Sequence, residues 1–121
     1  DEQIERLAKL NPFVTFQPEF LAAFGHLYRR RLGEARARSL MRMRSVLDAG
    51  IRVSFSSDRP IVSGDPWLGM RSAVHREDGG EVVTRSQALH AYTEGAAAAN
   101  GDAGQLGTLV IGARADWQVT D

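Results

Sequence analysis

The chain has 121 residues, with 15 basic and 15 acidic side chains and no formal net charge. That length supports one modest domain, and the balanced charge gives no general attraction to nucleic acid or anionic membrane. With no cysteine, neither a disulfide framework nor a thiolate metal site can form; with 43% apolar residues the chain suits a folded protein, and its apolar runs are too short to span a bilayer.

The opening "DEQIERLAKLN" reads as a helix. Ile4, Leu7 and Ala8 share a face, acids cluster early, and Asn11-Pro12 stops it. "FVTFQP" is a short β-rich run ended by Pro18. A helix is expected from about Glu19 to Tyr28, then an arginine-rich connection through Gly33. "EARARSLMRMRSVLDAG" reads as one further helix, with Leu40, Met43 and Leu47 on a stripe and Gly50 past its end.

"IRVSFSS" is a second strand, and "GDPWLGMRSAVHRE" a loop entering a short helix capped by Asp65 with Pro66 in its first turn. "DGG", residues 78–80, turns the chain. "TRSQALHAYTEGAAAAN" reads as one helix, capped by Thr84 or Ser86 and ended by Asn100-Gly101. "GTLVIGARADWQVTD" has β character, with Trp117 and Val119 on one face and Gln118 and Thr120 on the other. With no methionine at its start and a strand at its close, the chain reads as cut at both ends, so any targeting signal is expected outside it.

Strands alternating with helices predict parallel βα units. Two parallel strands make a poor sheet by themselves, so the chain is expected to be a slice of something larger. In the second strand Ile51, Val53 and Phe55 face one way, and Arg52, Ser54 and Ser56 the other. If the alternation continues, Asp58 joins the serine face. In the first strand Gln17 holds the comparable strand-end place on the face of Phe13 and Thr15. In a (β/α)8 barrel the catalytic groups stand at the carboxyl ends of strands, which is where Gln17 and Asp58 fall. On the strand pattern alone, Asp58 reads first as a turn or cap residue before Pro60, and Gln17 as a solvated strand-end glutamine.

The segments "FVTFQPEF", "RSVLDAGIRVSFSSDRPIVSGDPWLGMRSAVHR", "ALHAYTEGAAAAN" and "GQLGTLVIGARADWQVTD", in this order, resemble the C-terminal part of a metal-dependent amidohydrolase. The nearest branch is the amidohydrolase-3 group, which includes N-substituted formamide deformylases. The resemblance implies an α/β fold: the last two βα units of a (β/α)8 TIM barrel, ending in a strand of an accessory β-sandwich. Residues 1–104 would belong to the barrel and 105–121 to the return segment into the sandwich. It also implies a divalent metal, zinc first among candidates, with Asp58 as metal ligand, general base and proton shuttle. The reaction would be hydrolysis of a non-peptide C–N bond in a small amide or formamide.

Two positions depart from the family's pattern. Met41-Arg42 stands where a Tyr-Pro pair is frequent, and Arg59 stands where a small or aromatic residue is usual. Arg59 and Gln17 are the candidate substrate-binding residues, Arg59 through its guanidinium at a pocket mouth. The family's metal histidines lie on earlier strands. His26, His75 and His90 lack ligand spacing and are expected on helix surfaces, so this piece alone is expected to be inactive.

Other readings are weaker. Seven arginines between Tyr28 and Arg44 raise the possibility of a nucleic-acid surface, but no aromatic platform accompanies them and they go round the helix. Ser56 and Ser57 have no histidine partner in the sequence, which disfavours a serine hydrolase. The strongest rival class is a non-catalytic piece or pseudoenzyme fragment that completes a barrel with another chain, since exposed strand edges favour association. The expected partners are thus a small-molecule substrate and a second copy in a homo-oligomer, with no nucleic acid and no membrane, in the cytoplasm.

Overall fold

The structure, a computed structural model, describes residues 2–77 and 79–120. Asp1 of the expected first helix, Asp78 of the "DGG" turn and Asp121 of the expected last strand lie outside the described residues. The elements run α1 (Glu2–Leu10), β1 (Phe13–Phe16), α2 (Glu19–Leu32), α3 (Glu34–Arg38), α4 (Met43–Asp48), β2 (Arg52–Phe55), α5 (Pro66–Val74), α6 (Arg85–Tyr92) and α7 (Glu94–Ala99).

β1 and β2 pair in parallel, with Phe13 opposite Arg52 and Phe16 opposite Phe55. The three helices between them make the crossover that parallel strands require. The alternation expected from sequence sorts the two faces. Ile51, Val53 and Phe55 are buried with Met43, Val46, Ala73, Val83, Ala88 and Ala91, and Val14 and Phe16 pack against this core from β1. Ile4, Leu7 and Ala8 of α1 join them, as their shared face predicts. The other face is polar: the Thr15 and Ser54 hydroxyls lie 2.7 Å apart. α5, α6 and α7 follow β2, and the Phe55 and Tyr92 rings meet edge-to-face with their centroids 5.4 Å apart.

Several helix limits differ from expectation. α2 continues past Tyr28 to Leu32, so Arg29, Arg30 and Arg31 occupy its last turn, where cations complement the helix dipole. Gly33, at φ 78°, then ends it.

The expected helix from Glu34 to Asp48 is two helices, broken at residues 39–42 with Met41 at φ 49°. A distant loop holds the break. The Arg76 guanidinium donates to the carbonyls of Leu40 at 2.9 Å, Arg38 at 3.1 Å and Met41 at 3.3 Å, satisfying acceptors that the broken helix leaves open. Glu81 does the same for donors at the start of α4. It accepts from the Ser45 amide at 2.8 Å and from Arg42 at 3.4 Å, and also from the Ser45 hydroxyl. Burial pushes the Glu81 carboxyl up, but these Ser45 bonds and the Arg42 charge together hold it below the usual carboxylate range.

The single helix expected from Thr84 to Asn100 is likewise two, broken at Thr93 (φ −108°, ψ −92°). There the returning chain passes so closely that a Cβ on Gly107 would lie 2.5 Å from the Thr93 carbonyl carbon. The local signals do hold. Asp65 Oδ1 accepts from the Trp67 amide at 2.8 Å, Thr84 and Gln87 form a reciprocal capping box, and Asn100 caps α7.

The expected strand character after Gly107 is absent: none of the described residues 105–120 is in a strand. A strand exists only as part of a ladder, and this segment pairs with neither β1 nor β2. Leu109, Ile111 and Val119 are instead almost fully exposed. Among the described residues, no helix is long and apolar enough to cross a membrane.

Candidate active site

The carboxyl ends of β1 and β2 lie side by side, and the residues following each strand build one lip. Ser56 extends the ladder by donating its amide to Phe16 O at 2.9 Å. Gln17 Nε2 donates to Ser56 Oγ at 3.0 Å, so Gln17 and Ser56 share the polar face as the alternation predicts.

The alternation does not continue to Asp58. β2 ends at Phe55, and Asp58 sits in a left-handed turn at φ 55°, a conformation that aspartate tolerates better than most residues. Its carbonyl accepts from the Ile61 amide at 2.9 Å, and the Arg59 amide donates to Ser57 Oγ at 3.3 Å. The Arg59–Pro60 peptide is cis. Turn geometry, and not strand parity, therefore sets where the Asp58 side chain starts.

The Asp58 side chain is exposed, and its carboxylate has no hydrogen-bond or ion-pair partner among the described residues. A cap aspartate would bond a nearby amide, as Asp65 does; Asp58 does not. Two free carboxylate oxygens on a fixed turn fit one ligand position of a divalent cation. Among the described residues, no three His, Cys, Asp or Glu side chains come together as a group that could hold a metal ion. His26 and His90 are exposed on helices, whereas His75, also exposed, lies just past the end of α5; His90 Nδ1 lies 3.7 Å from Glu94.

Arg59 follows directly. Its guanidinium also has no partner among the described residues, while its stem lies against Gly64. A Cβ on Gly64 would come within 3.0 Å of Arg59 Cδ, and Gly64 itself takes φ 79°. Glycine at 64 thus lets the loop fold back on the arginine stem and present a free charge beside Asp58.

Sequence reasoning missed the residue that holds the far end of this loop. Glu19 is 6% exposed. Its Oε1 accepts from the Ser63 hydroxyl at 2.7 Å and the Ser63 amide at 3.2 Å. Ser63 Oγ in turn accepts from the Asp65 amide at 3.1 Å, which leads to the α5 cap. Glu19 Oε2 is buried with no hydrogen-bond partner. The only trace of this in the sequence is an acid in the first turn of a helix, which reads equally well as a response to the helix dipole.

The full chain, residues 1–121, matches the amidohydrolase family. It is 34% identical to an N-substituted formamide deformylase of Arthrobacter pascens, an alignment covering 98% of this chain and 23% of that protein. It is 31% identical to a Bacillus subtilis (strain 168) protein provisionally named amidohydrolase YtcJ, over 98% of this chain and 24% of the relative. The chain thus spans about a quarter of the length of these relatives. A metal-dependent hydrolase of uncharacterised function from Pyrococcus furiosus superposes with a TM-score of 0.83 and 38% identity, covering 95% of this chain and 24% of that one. A second, from Pyrococcus horikoshii OT3, gives 0.82 and 30% over 95% of this chain and 25% of its own. Agreement in sequence and in the course of the backbone leads to one assignment: the chain belongs to the amidohydrolase family.

Proposed function

We propose that the protein containing this chain is a metal-dependent hydrolase of non-peptide C–N bonds in small amides or formamides, and that Asp58 is its general base and one of its metal ligands. The observation carrying this reading is the Asp58 carboxylate itself, fixed at the strand ends with no protein partner among the described residues. In this reading β1 and β2 are the last two strands of a (β/α)8 barrel. Residues 1–104 then belong to the barrel, and 105–121 lead into an accessory β-sandwich whose strands would supply the missing ladder.

Asp58 would hold a divalent metal, zinc first among candidates, together with ligands from elsewhere in the protein. The bound metal supplies Lewis acidity that brings a water near to ionisation at neutral pH. Asp58 then accepts the water proton at a carboxylate oxygen as the C–O bond forms, and returns it to the amine nitrogen as the C–N bond breaks. Gln17 steadies this lip through Ser56 and has its carbonyl oxygen left to accept from a substrate N–H. Arg59 offers its unpaired guanidinium to an anionic substituent. The rival reading, a non-catalytic piece completing a barrel with another chain, is the weaker one, because the relatives carry hydrolase names.

The direct test uses the full-length protein and an N-substituted formamide, with formate and amine release as the readout. Activity should vanish on chelation and return with a divalent metal. Turnover indifferent to chelation would overturn the reading.

A further inference from the structure

We infer that Glu19 is a positioning residue, fastening the far end of the loop that carries Asp58 and thereby fixing where the Asp58 carboxylate stands. The inference rests on the reading of Asp58 as the general base.

The loop between β2 and α5 is held at two points, both by the end of β1 and the residues just after it. At its start, Ser56 is tied to Phe16 O and to the Gln17 side chain. At its end, Ser63 is tied to Glu19 Oε1 by two hydrogen bonds. Between these ties, Asp58, Arg59, Pro60 and Ile61 are exposed and Val62 is buried. The turn bond from Ile61 to Asp58 spans only three residues and cannot orient the loop relative to the strands. Two ties to one short segment can, because that segment is itself fixed by the β1–β2 ladder.

Burial of Glu19 does not by itself stabilise the fold. A carboxylate buried with one oxygen unpaired costs folding free energy. Glutamine would accept the same Ser63 bonds at its carbonyl oxygen without a buried charge. Both side-chain hydrogen bonds that Glu19 makes among the described residues go to Ser63, so what residue 19 supplies is an acceptor for this loop.

The test compares Glu19→Ala, Glu19→Gln and Ser63→Ala in the full-length protein, reading steady-state kinetics, metal content and hydrogen exchange across residues 57–65. Exchange is measured with and without metal, so it does not depend on turnover. Loss of the tie should speed exchange across the loop in Glu19→Ala and lower kcat by about 10–100-fold, the scale of a misplacement remote from the chemistry. KM should change by less than about 3-fold, since Glu19 is too buried to touch substrate. Glu19→Gln should restore both readouts to within about 3-fold of the natural protein, because it keeps the acceptor. Ser63→Ala should fall between, and the double variant Glu19→Ala/Ser63→Ala should be no worse than Glu19→Ala, as for two ends of one interaction.

Unchanged loop exchange and kcat in both Glu19→Ala and Ser63→Ala would overturn the inference. So would a Glu19→Gln variant as impaired as Glu19→Ala. If Glu19→Ala does not fold, Ser63→Ala and Glu19→Gln carry the test alone. Asp58→Asn separates this inference from the reading beneath it. An active Asp58→Asn enzyme refutes the base assignment, whereas an inactive one beside an unimpaired, normally exchanging Glu19→Ala refutes only the positioning role.

Discussion

Gln17 and Ser56, 39 positions apart in the chain, join side chains at 3.0 Å across the carboxyl ends of the two strands. This contact continues the β1–β2 register one pair beyond Phe16 and Phe55, on the face that Thr15 and Ser54 share. It makes the strand ends a single polar lip, and the turn that presents Asp58 begins two residues after it. The expected consequences concern that turn, its arginine and the packing beneath it.

Replacing Asp58 by asparagine in the full-length protein keeps the size of the side chain and a residue type that accepts the left-handed turn. It removes the proton acceptor. A positioned general base contributes about 10²–10⁴-fold in rate, so kcat should fall at least about 100-fold, while metal content by elemental analysis drops modestly and the melting temperature barely moves. A variant keeping more than about a tenth of the natural kcat would count against the base, since even a weak one contributes more.

Arg59→Ala removes an unpaired cation beside Asp58 without touching the core. A charge-assisted hydrogen bond is worth about 1.5–3 kcal/mol, so KM for a substrate bearing a carboxylate should rise about tenfold or more. KM for a neutral analogue should stay within a factor of about two. Equal changes for the two substrates would show that Arg59 does not read charge.

Gly95 in α7 tests packing against helix propensity. Alanine normally stabilises a helix by about 1 kcal/mol over glycine, yet a Cβ here would lie 2.5 Å from Val53 O, a backbone atom of β2. Over-packing of this kind costs about 1–3 kcal/mol, so Gly95→Ala should destabilise the protein in denaturant titrations despite its better propensity. Gly69→Ala should cost less. Its obstacle is the Tyr92 hydroxyl, at 1.9 Å from the built Cβ, and that is the tip of a side chain able to swing aside.

Burial, and then the charges of Glu19 and Asp65, push the Tyr92 hydroxyl from its ordinary 10.0 up to about 12. Because the folded value lies above the ordinary one, the neutral phenol's contribution to stability is complete below pH 10. It is lost as pH rises toward about 12. Tyr92→Phe should therefore melt like the natural protein near neutrality and lose less stability through that alkaline window. Tyr92 is only partly buried, and solvent screening keeps the difference small. Parallel alkaline losses in the two proteins would show that Tyr92 ionisation is not coupled to folding.

The 121 residues expressed alone should associate or aggregate. A two-stranded sheet is marginal in water, the ladder groups on the outer edges of β1 and β2 have no strand to pair with among the described residues, and Leu109, Ile111 and Val119 are exposed. A sizing column read at several concentrations checks this; a monomer with one sharp thermal transition would contradict it.

What the sequence determined by itself was whatever depends on near neighbours. The two-residue alternation of Ile51, Val53 and Phe55 set the faces of β2. Asp65 with Pro66, and Thr84 with Gln87, fixed helix starts through bonds spanning two or three residues. The resemblance carried by ordered segments was sufficient to place the chain in its family.

Tertiary structure decided what depends on residues 35 or more positions apart. Arg76 supplies donors to the carbonyls of Arg38, Leu40 and Met41, and Glu81 supplies acceptors to the start of α4. Together they make a break in what local propensity reads as one helix, because a broken helix is tolerable only where its open backbone groups find partners. Residues 105–120 show the converse: their strand-like sequence forms no strand without a ladder to join. For the same reason the sequence marked Asp58 but not Glu19. A carboxylate at a strand end is visible in the local pattern, whereas burial beneath a loop 44 positions away exists only once the chain has folded.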